Sequence, residues 1–333
     1  MSANSFVNTT VLFYPSKSPK LRLVALWYFT ILMIVWNVLG HTVLGFEQSW
    51  CAPFVGVGTA LFMQFLLEWV DAKAKSRPLR FAGSWADFFN FLPAALIPGF
   101  ACAMLIYPNE RLWPIAFAAA LSIGSKVLFR APVAPGRTQH IFNPSDFGVA
   151  ATLVLFPEVG FAPPYHFTEN LVGLWNWVLP GIILLTGLVI HSLFTGRMPL
   201  VVAWVLGFVL QAQVRAQLFG TPPIVPLTPM TSAAFILFTL YMIPDPATTP
   251  LHPARQALFG FSVAMVYGLI QILHIVYGLF FALVAVCAIR GLCLHLYFTF
   301  KSPTTAPTEA APATSSLSGA ALPGAALQSA SQP

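Results

Sequence analysis

The chain has 333 residues, of which 57% are hydrophobic and only 8% charged, and its formal net charge is +6. Soluble domains carry about 25% charged residues, so this composition excludes an ordinary soluble domain and indicates a polytopic protein of the lipid bilayer. Because Lys and Arg gather in short cytoplasmic loops of membrane proteins, we assign the positive charge to topology and infer no nucleic-acid partner from it.

In chain order, the first predicted element is a short cytoplasmic segment, residues 1–22, which lacks the apolar core of a signal peptide. A membrane-spanning helix needs about 20 predominantly apolar residues. Ten candidate stretches follow: residues 23–44, 51–70, 88–107, 112–129, 146–162, 172–195, 199–218, 229–243, 256–272 and 275–299. The predicted fold is therefore all-α, and the Pro-, Ala- and Ser-rich tail, residues 302–333, is predicted to be disordered.

The positions of the charges predict the orientation of these helices. With the N-terminus inside the cell, every one of the 16 Lys and Arg residues except Arg111 and Arg215 falls on or near the cytoplasmic side. We therefore expect both termini to be cytoplasmic.

Two stretches suggest an internal repeat. NPSDFGVAATLVLFP, residues 143–157, resembles TPMTSAAFILFTLYM, residues 228–242, at a shift of 85 residues. Each begins with a residue that can cap a helix, Asn143 or Thr228, followed by a proline suited to the first helical turn. We interpret the chain as two five-helix halves, residues 23–162 and 172–299. An odd number of spans in each half makes the repeats inverted, an architecture typical of transporters.

The sharpest break in the apolar pattern is MIPDPATTP, residues 242–250, where three prolines end a helix. Asp245 follows that helix at the negative end of its dipole, so it needs a partner, for which Arg255 is a candidate. The expected helix starts at Asn143 and at Thr249 direct free N–H groups to the same inner region, which favours an anionic ligand. The candidate binding residues are Asn143, Ser145, Asp146, Asp245, Thr248, Thr249 and Arg255. The alternative is that each is an ordinary cap or loop residue.

The four cysteines, Cys51, Cys102, Cys287 and Cys293, have no CxxC spacing. The sequence therefore predicts no zinc or iron–sulfur site in this chain. It also contains no recognisable nicotinamide site and no nucleophile with its base, so we do not expect catalysis by the isolated chain.

The two polar motifs carry a resemblance to a known family. HIFNPSDFG, residues 140–148, is similar to an FNPA-type motif, and MIPDPATTP is similar to an ATDPVTTP-type motif. Both occur, in this order, in the NqrB/RnfD family, whose members are membrane subunits of sodium-translocating NADH:quinone reductase and of the Rnf electron-transport complex. The short UnbU-type branch, associated with enediyne biosynthesis, shares the HIFNPS sequence motif. The resemblance implies a multi-pass protein of the bacterial inner (cell) membrane that works beside other membrane or redox subunits.

One departure from the family bears on the cofactor. The respiratory subunits attach flavin mononucleotide to a threonine in a Ser/Asp-Gly-Ala-Thr motif, which this chain lacks. Covalent FMN is therefore not expected, whereas non-covalent FMN or riboflavin, or a quinone, fits the resemblance.

Three functions follow as hypotheses. The first is an electron-transport subunit, within an oxidoreductase assembly, that holds a non-covalent flavin or a quinone. The second is a transporter or channel for a small molecule or ion, linked to natural-product biosynthesis. The third is a membrane scaffold that recruits a partner protein.

Overall fold

The computed structural model describes residues 19–134, 137–163 and 167–300. The predicted tail and nearly all of the predicted N-terminal segment lie outside this range. Helices form most of the described chain. The first part contains α1 (Pro19–Leu39, continued by the π-helix Gly40–Leu44), α2 (Ala52–Ala74), α3 (Trp85–Phe91), α4 (Pro93–Leu105), α5 (Trp113–Leu128) and α6 (Pro144–Leu155).

The second part of the described chain is also mainly helical. It contains α7 (Trp175–Val189, continued by the π-helix Ile190–Thr195), α8 (Met198–Leu218), a 3-10 helix (Val225–Thr231), α9 (Ala233–Leu237, continued by the π-helix Phe238–Met242), α10 (Pro253–Ile272) and α11 (Gly278–Phe300). The short strands β1 (Ile106–Tyr107) and β4 (Gly160–Phe161) pair antiparallel, as do β2 (Arg130–Ala134) and β3 (Arg137–His140).

The structure confirms a polytopic helical membrane protein. Within the described residues seven helices are long and apolar enough to cross a membrane, or eight if the 3-10 helix and α9 with its π-helix, bent by 71°, form one span. The predicted stretches near α5 and α6 are helical but have only 16 and 12 residues. A 12-residue helix rises about 18 Å, against about 30 Å for the hydrocarbon core, so ten crossings stay a prediction.

Large apolar side chains on the outer surface of the bundle fit a lipid environment. Phe54, Phe62 and Leu206 are 78%, 64% and 64% exposed, a pattern that water disfavours and lipid tails tolerate. Trp85 and Trp177 lie near helix starts and are also exposed, as expected of rings that prefer the membrane interface.

Close helix contacts form where a side chain would not fit. A Cβ added at Gly148 of α6 would lie 2.3 Å from the carbonyl oxygen of Ala118 in α5, and one at Gly260 of α10 would lie 2.4 Å from that of Leu200 in α8. Small residues at such positions let helix backbones approach in a membrane, where packing rather than water drives association.

The loops gather at two ends of the bundle. At the strand end, β1 pairs with β4, Gln48 Nε2 donates to the Ile106 carbonyl at 2.8 Å, and Asn109 Nδ2 donates to the Glu158 carbonyl at 2.9 Å. At the hairpin end, the β2–β3 hairpin, the α7–α8 link and the loop after α9 lie together. The four successive loops α4–α5, α5–α6, α6–α7 and α7–α8 lie in turn at the strand end, the hairpin end, the strand end and the hairpin end.

The structure corrects the expected cap at Thr228. Thr228 lies inside the 3-10 helix, where its hydroxyl donates to the Val225 carbonyl, and Ser232 instead caps α9 by accepting from the Phe235 N–H at 3.1 Å. Ser232 has the extended backbone that a cap requires, φ −84° and ψ 143°. The 85-residue repeat is therefore wrong in this detail.

Candidate functional site at the hairpin end

The turn that follows α9 is organised by Asp245. Its Oδ1 accepts from the Ala247 N–H at 2.9 Å, and its Oδ2 accepts from the Thr248 hydroxyl at 3.2 Å. Its carbonyl accepts from the Thr249 hydroxyl at 2.7 Å. An aspartate that bonds to the backbone two residues ahead is a common way to fix a turn. This explains an acidic residue at the unfavourable end of a helix. We call residues 243–252 the Asp245 turn.

Side chains from other elements hold the carbonyl groups of this turn and of the residue before it. Prolines at positions 244, 246 and 250 supply no N–H, which limits regular backbone bonding and leaves carbonyls to be satisfied otherwise. The donors and their acceptors are Asn143 to Met242 at 2.8 Å, Arg197 to Pro246 at 3.2 Å, Gln139 to Ala247, Arg290 to Thr248 at 2.8 Å, and Gln256 to Leu251 at 3.0 Å. The turn is therefore a meeting point of five structural elements.

Asn143 connects the two sequence motifs. As predicted, it caps its helix, α6: its Oδ1 accepts from the Asp146 N–H at 3.3 Å and from the Ser145 hydroxyl at 3.0 Å. Its Nδ2 donates to the Met242 carbonyl, 99 positions along the chain. The Asp146 carboxylate is buried, 1% exposed, and neither oxygen has a hydrogen-bond partner among the residues that the structure describes.

Two basic side chains face the Asp245 turn. His140 Nε2 lies 3.9 Å from Asp245 Oδ2. Burial lowers the pKa of His140, and the charge of Asp245 opposes this shift. Arg197 is fully buried, and burial lowers its pKa to about 10, again against the attraction of Asp245. Arg197 Nε and Nη1 have no hydrogen-bond partner in the described part of the chain.

The structure brings together all the predicted site residues except Arg255. The Arg255 side chain is exposed, and in the described part of the chain it forms no hydrogen bond or ion pair with Asp245. The expected cap at Thr249 is also wrong: α10 begins at Pro253, and His252 precedes it without a side-chain cap. Thr249 is instead buried inside the turn through its bond to Asp245.

A largely apolar cleft lies beside the turn. It comprises about 710 Å³ of space, including its open mouth, and its lining contains no charged side chain. The lining residues come from α1, α4, α6, α9 with its π-helix, α11, β4 and the segment after β4: Phe29, Met33, Ile97, Ala101, Met104, Leu105, Ser145, Phe161, Ala162, Pro163, Phe167, Ala234, Leu237, Phe238, Tyr241, Met242, Leu279 and Phe280. Ser145 and Met242 belong to both the cleft wall and the Asn143 network, so the cleft approaches the Asp245 turn.

Sequence reasoning missed Arg197, Arg290, His140 and Gln139 as parts of this site. Arg197 offered a signal: it is the charged residue in a two-residue link between two long apolar helices, a position where a charge needs a partner. His140 lies inside the first motif. Nothing in the sequence placed Gln139 or Arg290 against the turn.

Within the described residues, no group of three or more His, Cys, Asp or Glu side chains could hold a metal ion. In comparisons with models of known protein families and with curated proteins, the chain matches none of them. Kinship with the NqrB/RnfD family therefore rests on the two motifs alone and stays a prediction.

Proposed function

We propose that this protein is a membrane subunit of an electron-transport assembly, similar to the NqrB/RnfD family, that binds a quinone without a covalent bond in the cleft. The observation that carries the proposal is the cleft itself. Its walls are apolar and aromatic, and one of its few polar side chains, Ser145, belongs to the network that joins the two motifs. Ligand sites commonly combine apolar walls with a few polar groups that set orientation.

The lining favours a quinone over a flavin. A quinone presents a flat ring and an apolar tail, which Phe238, Phe280 and Met33 suit, and its carbonyls need few donors. The ribityl phosphate of FMN needs charged or strongly polar partners, and the cleft lining has no charged group. Covalent FMN stays unexpected for want of the Gly-Ala-Thr acceptor. A bound quinone would exchange electrons and protons with neighbouring redox subunits.

The proposed architecture is ten crossings in two inverted five-helix halves. Alternation of the loops between the two ends supports ten crossings. Recurring contacts support the repeat, because in each half the second helix packs on the fourth and the fourth on the fifth. The first helix of each half also ends alike: VLGHTVLG, residues 38–45, and VIHSLFTG, residues 189–196, both form a π-helix that stops at a left-handed glycine, Gly45 or Gly196.

We propose that the hairpin end is cytoplasmic in a bacterial cell membrane. The support is the distribution of Lys and Arg: the hairpin end carries Lys75, Arg77, Arg80, Arg130, Arg137, Arg197 and Arg255, whereas Arg111 and Arg215 lie at the strand end. The native cysteines test this orientation. Cys51 is exposed in the loop before α2, at the strand end, so a membrane-impermeant maleimide should label it in intact cells, and Cys51→Ala should abolish that label. If the maleimide labels Cys51 only after the cells are broken, the strand end is cytoplasmic and the proposed orientation is wrong.

Quinone binding can be tested with matched variants. Ala234 lines the cleft, and Ala288 is an exposed alanine of α11. We expect Ala234→Leu to fill the cleft and to weaken binding of a short-chain benzoquinone by about tenfold, equivalent to about 1.4 kcal/mol. Ala288→Leu should leave binding unchanged. Tryptophan fluorescence quenching of the detergent-purified protein measures the affinity.

Solvent extraction of the purified protein gives an independent readout, because it identifies any co-purified quinone or flavin. If the protein is yellow and releases flavin on denaturation, the bound ligand is a flavin and not a quinone. Absence of both ligands, together with no saturable quinone binding, would overturn the redox proposal.

Transport of a small molecule or ion is the second candidate. It is favoured by the unpartnered carboxylate of Asp146 at the start of α6 and by the 71° bend before α9, since broken helices and buried charges between repeats typify solute pathways. A colourless, quinone-free protein that moves a solute into vesicles would support it. No observation on the described residues favours the scaffold hypothesis.

A further inference from the structure

Arg197 is a buried cation with unused hydrogen-bond donors. Its side chain is 0% exposed, and Nη2 donates to the Pro246 carbonyl at 3.2 Å. Nε and Nη1 have no acceptor among residues 19–134, 137–163 and 167–300. Burying a charged group without partners for its N–H groups is unfavourable. Such a guanidinium therefore indicates an acceptor that the described residues do not supply.

The surroundings of Arg197 contain more positive than negative charge. Arg290 donates to the Thr248 carbonyl, two residues along the same turn from Pro246, and Arg22 and Arg290 both lie within electrostatic range of Arg197. In the described part of the chain, Asp245 is the one carboxylate in that range. Both of its oxygens already accept hydrogen bonds inside the turn. The charges that act on Arg197 are thus two other guanidinium groups and one carboxylate, and that carboxylate is already engaged.

We propose that Arg197, Arg22 and Arg290 form a binding site for a phosphate group at the hairpin end. A guanidinium presents two parallel N–H groups that match two oxygens of a phosphate, and Nε with a terminal nitrogen is one such pair. A phosphate would supply the missing negative charge. Arg22 is exposed and Arg290 half-buried, so the phosphate reaches the cluster from the membrane surface.

Two kinds of ligand carry a phosphate group that fits this site. The phosphodiester of an anionic phospholipid lies at the membrane surface, and basic pockets between membrane helices bind such headgroups. A free phosphate compound could reach the same cluster from solution. This site is separate from the cleft and does not depend on quinone binding.

Thermal unfolding in lipid nanodiscs tests the proposal. The wild-type chain is compared in phosphatidylcholine alone, in phosphatidylcholine with phosphatidylglycerol, and in phosphatidylcholine with inorganic phosphate at constant ionic strength. Ligand binding to the folded state raises the unfolding temperature, so we expect a rise of a few degrees in at least one arm. A rise with phosphatidylglycerol assigns the site to a lipid, and a rise with inorganic phosphate assigns it to a soluble phosphate compound.

The variants separate this site from general charge effects. Arg197→Gln should abolish the rise, whereas Arg255→Gln, which removes an exposed arginine at the same end, should keep it. If Arg197→Gln does not fold, Arg22→Gln serves instead, and it should reduce the rise. No rise in either arm, or an undiminished rise in the Arg197 or Arg22 variant, would overturn the proposal.

Discussion

The cleft and the Asp245 turn lie next to each other, but different kinds of interaction form them. The cleft is lined mainly by apolar side chains without charge, whereas in and beside the turn the carbonyls of Met242, Asp245, Pro246, Ala247, Thr248 and Leu251 accept side-chain hydrogen bonds. Satisfied polar networks fix one geometry, and apolar walls set shape more loosely. The turn therefore acts as a rigid frame, and the cleft is the part free to adapt to a ligand.

Asn143 stands where the two regions meet, so its loss should have the largest effect on stability. Asn143→Ala removes the cap of α6 and the bond to the Met242 carbonyl. Loss of a cap costs about 1 kcal/mol, and an unsatisfied buried group costs about 1–3 kcal/mol more. We expect unfolding in mixed detergent, followed by circular dichroism, to give a loss of about 2–4 kcal/mol.

The matched control for this substitution is Asn176→Ala. Asn176 is exposed at the start of α7, and its replacement should cost less than about 0.5 kcal/mol, as is usual for surface positions. Equal losses in the two variants would mean that Asn143 does not join the motifs.

Asp245 tests whether geometry or charge holds the turn. Asp245→Ala removes both side-chain acceptors and should cost about 1–3 kcal/mol in the same unfolding assay. Asp245→Asn keeps one acceptor oxygen for the Ala247 N–H, so it should cost about 1 kcal/mol or less. If the carboxylate charge is also used in function, Asp245→Asn should impair cellular activity while the fold persists. An asparagine variant as unstable as the alanine variant would show that the charge itself, facing Arg197 and His140, holds the turn.

His140 should produce the smallest effect, a dependence of stability on pH. Its pKa in the folded protein is lowered by burial, below the unfolded value of about 6.5. The unfolded state therefore binds more protons as pH falls through that value, and stability decreases in this direction. Asp245 favours the protonated ring, and Lys126 and Arg130 oppose it.

His140→Gln should flatten the profile of unfolding free energy between about pH 5 and 8, the range in which histidine titrates. Exposed His252 offers the control: His252→Gln should keep the wild-type slope. A His140→Gln profile as steep as that of the wild type would assign the acid sensitivity to another group.

Much of the architecture was predictable from local chemistry. Long apolar stretches place the helices because a lipid-exposed backbone must satisfy its own hydrogen bonds. Asn143 before Pro144 marks the start of α6 through capping. Three prolines after Met242 end the helical segment for lack of N–H groups. Thr228 and Thr249 were mispredicted as caps because other residues, Ser232 and His252, hold those positions.

The sequence by itself determined that this is a membrane protein of apolar helices, with a proline-rich break and a capped helix start that carry its polar residues. Only the tertiary structure decided which arginine meets the break. Arg255 and Arg197 both lie in or beside loops of the same end, yet Arg197 is buried against Pro246 and Arg255 is exposed. The physical reason is that the partners of the freed carbonyls come from Gln139, Arg197 and Arg290, 42 to 108 positions away, and helix packing rather than any local pattern brings them there.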